Sequence, residues 1–359
     1  MKGSAPRSIQ LRVLMNTLRI RLRLTLIAAA VLTCVALSAC GEKKEAVAAA
    51  GASTQSLTLM LDWFPNADHV GIYQALAGGD FSAAGLDVHV QVPSDPAAPL
   101  QLLAAGKVDL AVSYEPEVML ARNRGEPLVS VAAIVQKPLT SIVSLGSKHI
   151  KRPAQLRGKR VGDAGIPYQH AYLTTVLQHA HVPQSSVKEI NVGSNLVPAM
   201  LSGRVDATLG AYWNYEAIQL QQLGKKPNVI HMDQVGVPTY DELVVVARSS
   251  ELTKHIDVIR RFVQALGRGY EAVRSDPSGA VDNLVKANPS LSRKLQLASV
   301  KATLPDYFPS GGDSGRPWGW QDPTQWTTYG QWMLGQHLIS GPNAFVDAST
   351  NELLAGQGS

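Results

Sequence analysis

From Ser56 onward, apolar and polar positions follow two periods that take turns along the chain: short apolar runs of strand character, each followed by a stretch with helical spacing. Residues 57–61 predict a strand, and 70–76 begin a helix that Gly78 and Gly79 close. Residues 86–92 alternate as a second strand, 97–105 form a short helix, and 108–112 form a third strand ending at Ser113-Tyr114-Glu115. The same order then returns. A strand at 160–162 leads through the loop DAGIPYQH to a helix at 171–180, a strand at 187–192 and a short helix at 198–202. After it, GRVDATLGAYWNYE (203–216) parallels GKVDLAVSYEPE (106–117): glycine, base, valine, aspartate, a small-residue strand, then tyrosine and glutamate.

Alternating strand–helix units predict a parallel sheet covered by helices, and two such halves predict an α/β, bilobal molecule with Rossmann-like lobes. LTSIVSLG (139–146) and DELVVVARS (241–249) are the candidate strands crossing between them. The expected division is lobe 1 at 56–142 plus 249–359 and lobe 2 at 143–248. Beyond the second crossing, Ile256, Ile259, Val263, Leu266, Tyr270 and Val273 share one face of an amphipathic helix. Asp322-Pro323 has the form of a helix start.

Charge changes the picture at one end only. The formal charge is +5, yet Lys2, Arg7, Arg12, Arg19, Arg21 and Arg23 all precede residue 40, where no acid occurs. Without those six, 27 basic side chains face 28 acidic ones. No basic face for nucleic acid is expected. The arginines precede an apolar run at 24–37, shorter than the roughly 20 residues that span a bilayer, and then Leu37-Ser38-Ala39-Cys40. This is the order of a secretory leader, and its last four residues resemble a bacterial lipobox with Cys40 as the lipidated residue. Residues 1–39 are the expected signal peptide, starting at Met1 or Met15, and 40–55 the tether. Cys34 and Cys40 are the two cysteines, so the mature body has no disulfide, thiol nucleophile or cysteine metal site.

Ligands of open α/β sheets bind beyond the carboxyl ends of the strands. Those ends here hold Asp62, Trp63 and His69; Tyr114, Glu115 and Glu117; Tyr168; then Tyr212, Trp213, Asn214, Tyr215 and Glu216; and Tyr240 with Asp241. No arginine or lysine joins them. Flat aromatic faces suit a flat ligand, and carboxylates there call for N–H donors such as an amino-heterocycle presents. An oxyanion would need bases or a free helix N-terminus, for which the loop at Gly165 offers backbone N–H groups.

LDWFPNADHVGIY, GKVDLAVSYEPEV, AYWNYEAIQL and the terminal WMLGQHLI…TNELL resemble the substrate-binding proteins related to fungal thiamine-pyrimidine synthase, over nearly the whole mature chain. The resemblance implies a type II periplasmic-binding-protein fold holding a pyrimidine precursor of thiamine, formylaminopyrimidine or a hydroxymethylpyrimidine-like compound, between the lobes. It implies a lipid-anchored receptor on the periplasmic face of a bacterial membrane, serving the permease and ATPase of an ABC importer, with no enzymic activity, cofactor or metal. Carried over, Trp63, Tyr114, Trp213 and Tyr215 wall or stack on the ring while Asp62, Glu115 and Glu216 accept from its amino edge; His69 and Tyr168 complete the expected site. Alternatives on the same fold are riboflavin, another amine heterocycle or an alkanesulfonate. The fungal synthase keeps a cysteine-rich iron site, which a mature body without cysteine cannot supply, so the enzyme is the less favoured reading.

Overall fold

The computed structural model describes residues 54–358. The expected leader, Cys40 and all but the last two residues of the expected tether lie outside them. No helix of the described residues is long and apolar enough to cross a membrane.

Among the described residues, ten strands form two five-stranded sheets. The first contains β1 (Gln55–Met60), β2 (Leu86–Gln91), β3 (Leu110–Ser113) and β4 (Leu128–Val135). The second contains β5 (Thr140–Ser144), β6 (Arg160–Asp163), β7 (Lys188–Asn191), β8 (Ala207–Tyr212) and β9 (Asn228–His231), and β10 (Leu243–Arg248) returns to the first. The orders are β2-β1-β3-β10-β4 and β7-β6-β8-β5-β9. They are the same order twice: three parallel strands, a fourth that arrives antiparallel from the other sheet, and an antiparallel edge. The repeat in the sequence is thus a repeat of topology. Strands β3, β4, β5 and β10 are buried nearly throughout. The mainly apolar runs of β3, β4 and β10 follow from being covered on both faces, while β5 buries Thr140, Ser141 and Ser144 among its residues.

The chain changes sheet in residues 136–139 and 232–242, just ahead of the two strands expected to cross. β5 belongs wholly to the second sheet and β10 wholly to the first, so the expected boundaries at 142/143 and 248/249 fall within β5 and at the end of β10. A strand fills its backbone hydrogen bonds in one sheet, which leaves the crossing to the irregular chain before it. The helix expected at 171–180 begins earlier, as Pro167–His179, with Pro167 in its first turn where a missing N–H costs nothing. This brings Tyr168 onto the helix.

The segment after β1 is held from behind. Helix Val70–Ala77 packs on the long helix Ser249–Ser275, where a side chain on Gly269 would overlap the Gly71 carbonyl oxygen. That close approach lets the Tyr270 hydroxyl donate to the Asp68 carbonyl at 2.6 Å, while Tyr307 donates to that of Ala67 at 3.0 Å.

Candidate ligand-binding site

The turn after β1 is built by its own side chains. Asn66 Oδ1 accepts from the Asp68 N–H at 2.8 Å, and the Asn66 N–H donates to His69 Nδ1 at 3.2 Å, a reciprocal cap. With Nδ1 accepting, the imidazole proton sits on Nε2 and is donated to Asp62 Oδ1 at 2.8 Å. Asp62 Oδ2 accepts from the Tyr114 hydroxyl at 2.8 Å. Both Asp62 oxygens are therefore occupied, and the carboxylate orients Tyr114 from the end of β3.

A narrow pocket opens beside this turn, at the carboxyl ends of strands from both sheets. Asp62, Trp63 and Asn66 contribute from beyond β1, and Tyr114 from beyond β3. Facing them are Ala164, Ile166, Tyr168 and Gln169 after β6, Leu196 after β7, Gly210 and Tyr212 on β8, and Tyr215 and Glu216 just past it. Among the described residues, five aromatic side chains and two acids line it, with no arginine, lysine or histidine. Tyr114 and Tyr168 meet across the two halves with ring centroids 5.6 Å apart, and Trp63 packs against two buried apolar clusters, one that runs through both halves and one in the second.

Glu216 has the most exposed chemistry of the two acids. Its Oε2 accepts from the Tyr212 N–H at 2.8 Å, while Oε1 has no hydrogen bond to another residue among those described. Burial pushes its pKa up to about 7, against the Tyr212 N–H that favours the charged form. It can thus accept from a ligand N–H as a carboxylate or donate as an acid near neutral pH. Gln169 supplies the complementary edge: its Oε1 accepts from the Ala164 N–H at 2.8 Å, turning Nε2 toward Gly210, where any side chain would collide with it. Burial also holds the Tyr168 and Tyr212 hydroxyls protonated, well above the usual tyrosine range.

Of the nine residues expected at the site, Asp62, Trp63, Tyr114, Tyr168, Tyr215 and Glu216 line the pocket. Three do not. His69 is fully buried behind Asp62. Glu115 is turned away, its Oε2 accepting from the Asp241 N–H at 2.7 Å, and burial together with the Asp241 carboxylate pushes its pKa well up. Trp213 braces the first crossing, its indole N–H donating to the Pro138 carbonyl at 3.1 Å. Tyr212 takes the place expected of Trp213: Gly210 bulges out of the pairing with β5, Tyr212 ends β8 over the pocket, and Trp213 is drawn to the first crossing, its backbone N–H on the Leu139 carbonyl at 3.2 Å and its indole on that of Pro138. Asn66 and Gln169 join the pocket as amides, whose only sequence signal was their nearness to the aromatic loops.

The family described as NMT1/THI5 like matches residues 66–280. A formylaminopyrimidine-binding protein of Halalkalibacterium halodurans is 34% identical over 298 residues, covering 82% of this chain and 89% of its own. A 4-amino-5-hydroxymethyl-2-methylpyrimidine phosphate synthase of Saccharomyces cerevisiae is 24% identical over 313 residues, 84% of this chain and 89% of its own. Among solved structures, the ligand-binding component of an ABC-type import system from Staphylococcus aureus superposes with a TM-score of 0.64 at 16% identity, covering 85% of this chain and all (100%) of its own. That likeness establishes the periplasmic-binding-protein fold, and the sequence relationships place the chain in the NMT1/THI5-like family.

Proposed function

We propose that the protein is the substrate-binding component of an ABC importer, capturing an aminopyrimidine precursor of thiamine, formylaminopyrimidine or a close analogue, between its two lobes. The observation that carries this reading is the lining of the pocket: five aromatic walls, two carboxylic side chains and no base. A planar ring slides between aromatic faces, and its amino group and ring nitrogen pair with Glu216, which can accept or donate there. The formylaminopyrimidine-binding relative supports the same ligand class. An alkanesulfonate would put an anion against Asp62 and Glu216 with no base to offset them.

The synthase among the relatives raises an enzymic alternative. The arrangement at His69 favours binding instead: both ring nitrogens are engaged, by Asn66 and Asp62, and the ring stands behind the pocket wall. The receptor would be tethered through Cys40 on the periplasmic face and hand its ligand to a permease. Native mass spectrometry of the protein purified without added ligand tests the reading. The expected adduct has the mass of an aminopyrimidine; a flavin or a sulfonate in its place would overturn it.

A further inference from the structure

The pocket does not use the polar groups buried beside it. Asn214, from the turn after β8, is fully buried and donates from Nδ2 to Asp68 Oδ1 at 2.7 Å and to Thr303 Oγ1 at 2.6 Å. Asp68 belongs to the turn after β1, anchored by Tyr270 and Tyr307, and Thr303 ends helix Arg293–Thr303. The neighbouring Tyr215 hydroxyl accepts from Gln296 Nε2, on the same helix, at 3.1 Å. One turn of the second sheet is thus bonded to two elements that flank the first. Asn214, Asp68, Thr303 and Gln296 do not line the pocket.

We propose that Asn214 is a latch between the lobes: its two hydrogen bonds hold the closed form, and it sets ligand affinity without touching the ligand. The inference rests on the binding role argued above. Its coupling to the pocket is covalent and short. Glu216 folds the turn back onto the Tyr212 N–H, so a ligand drawn between Tyr215 and Glu216 on one side and Trp63 on the other carries Asn214 toward Asp68 and Thr303.

The latch is also incomplete, which makes it releasable. Asn214 Oδ1, Asp68 Oδ2 and Gln296 Oε1 are buried with no partner among the described residues. When the lobes part, solvent reaches these acceptors; closing them away opposes the two bonds gained. Closure is then near balance without ligand, and a ligand that binds the closed form better shifts it.

Small-angle scattering of the ligand-free protein and stopped-flow release of an aminopyrimidine test the latch in two independent variants, Asn214→Ala and Thr303→Val. Each is expected to enlarge the radius of gyration without ligand and to speed release about fivefold or more. Asp68→Asn keeps an acceptor for Asn214 and adds a donor for its orphaned Oδ1, so it is expected to slow release. If Asn214→Ala does not fold, as judged by thermal melting, Thr303→Val decides the matter. Native dimensions and native release in the folded variants would overturn the latch. An enlarged ligand-free form in a protein that binds no aminopyrimidine would uphold the latch and remove the ligand reading instead.

Discussion

In the proposed site Glu216 and Trp63 would hold the ligand by different physics, and their substitutions separate the two. Glu216→Gln keeps the shape but replaces a carboxylate oxygen with a donor; losing a charge-assisted hydrogen bond of about 1.5–3 kcal/mol weakens binding roughly ten- to a hundredfold or more, measured by calorimetry. Trp63→Ala removes an aromatic contact of about 0.5–1.5 kcal/mol beyond its buried area, so the dissociation constant rises several-fold at least, with less quenching of fluorescence on binding. Trp213→Ala is expected to leave affinity much closer to native and to lower the melting temperature, because its indole is bonded to the Pro138 carbonyl at the crossing. The chemistry of the pocket was legible in the sequence as aromatics and acids gathered at strand ends. Which of two adjacent aromatics lines the pocket was not, since it depends on the bulge at Gly210 and on the bonds that hold Trp213 to Leu139 and Pro138, neither of which leaves a local pattern.

At the scale of elements, Glu242 joins the two crossings. Its Oε2 accepts from the Leu139 N–H at 2.6 Å, the Thr140 N–H at 2.7 Å and the Tyr240 hydroxyl at 2.9 Å, and its Oε1 from the Thr140 hydroxyl at 2.8 Å. The side chain is fully buried. Glu242→Ala strands two backbone N–H groups and two hydroxyls away from water, at about 1–3 kcal/mol for each group left unpaired. Denaturant unfolding is expected to show a loss of about 3 kcal/mol or more, with Glu242→Gln, which keeps one acceptor oxygen, losing clearly less. Equal losses would contradict this account, because Gln keeps both the bulk and one acceptor oxygen. The paired halves were visible in the sequence because each repeats the same strand–helix order with the same Gly-base-Val-Asp signal. Glu242 was not, since its partners at the first crossing lie 102 and 103 residues away and no local pattern marks a carboxylate that ties two connections together.

For the whole molecule, the buried acids set the response to pH. Burial pushes Asp68, Glu117, Glu216 and Asp241 each up to about 7. Between about pH 4 and 7 the folded chain keeps protons that the unfolded chain has released, so stability falls as pH rises through that window. Asp206, held below the usual carboxylate range first by its hydrogen bond with Arg160, acts in the opposite sense, losing its contribution only as pH drops below about 4. The ligand-free protein is therefore expected to melt higher at pH 5 than at pH 8; the reverse order in scanning calorimetry would contradict the buried-acid picture. Two lobes meeting over one pocket also predict that ligand reduces the radius of gyration by hinge closure. The central claim is that this pocket selects an aminopyrimidine through aromatic walls and a buried acid. Its most direct test is isothermal titration of the protein with formylaminopyrimidine and, in parallel, with an alkanesulfonate. Saturable heat with the pyrimidine and none with the sulfonate is the predicted result, and saturable heat with the sulfonate alone would contradict it.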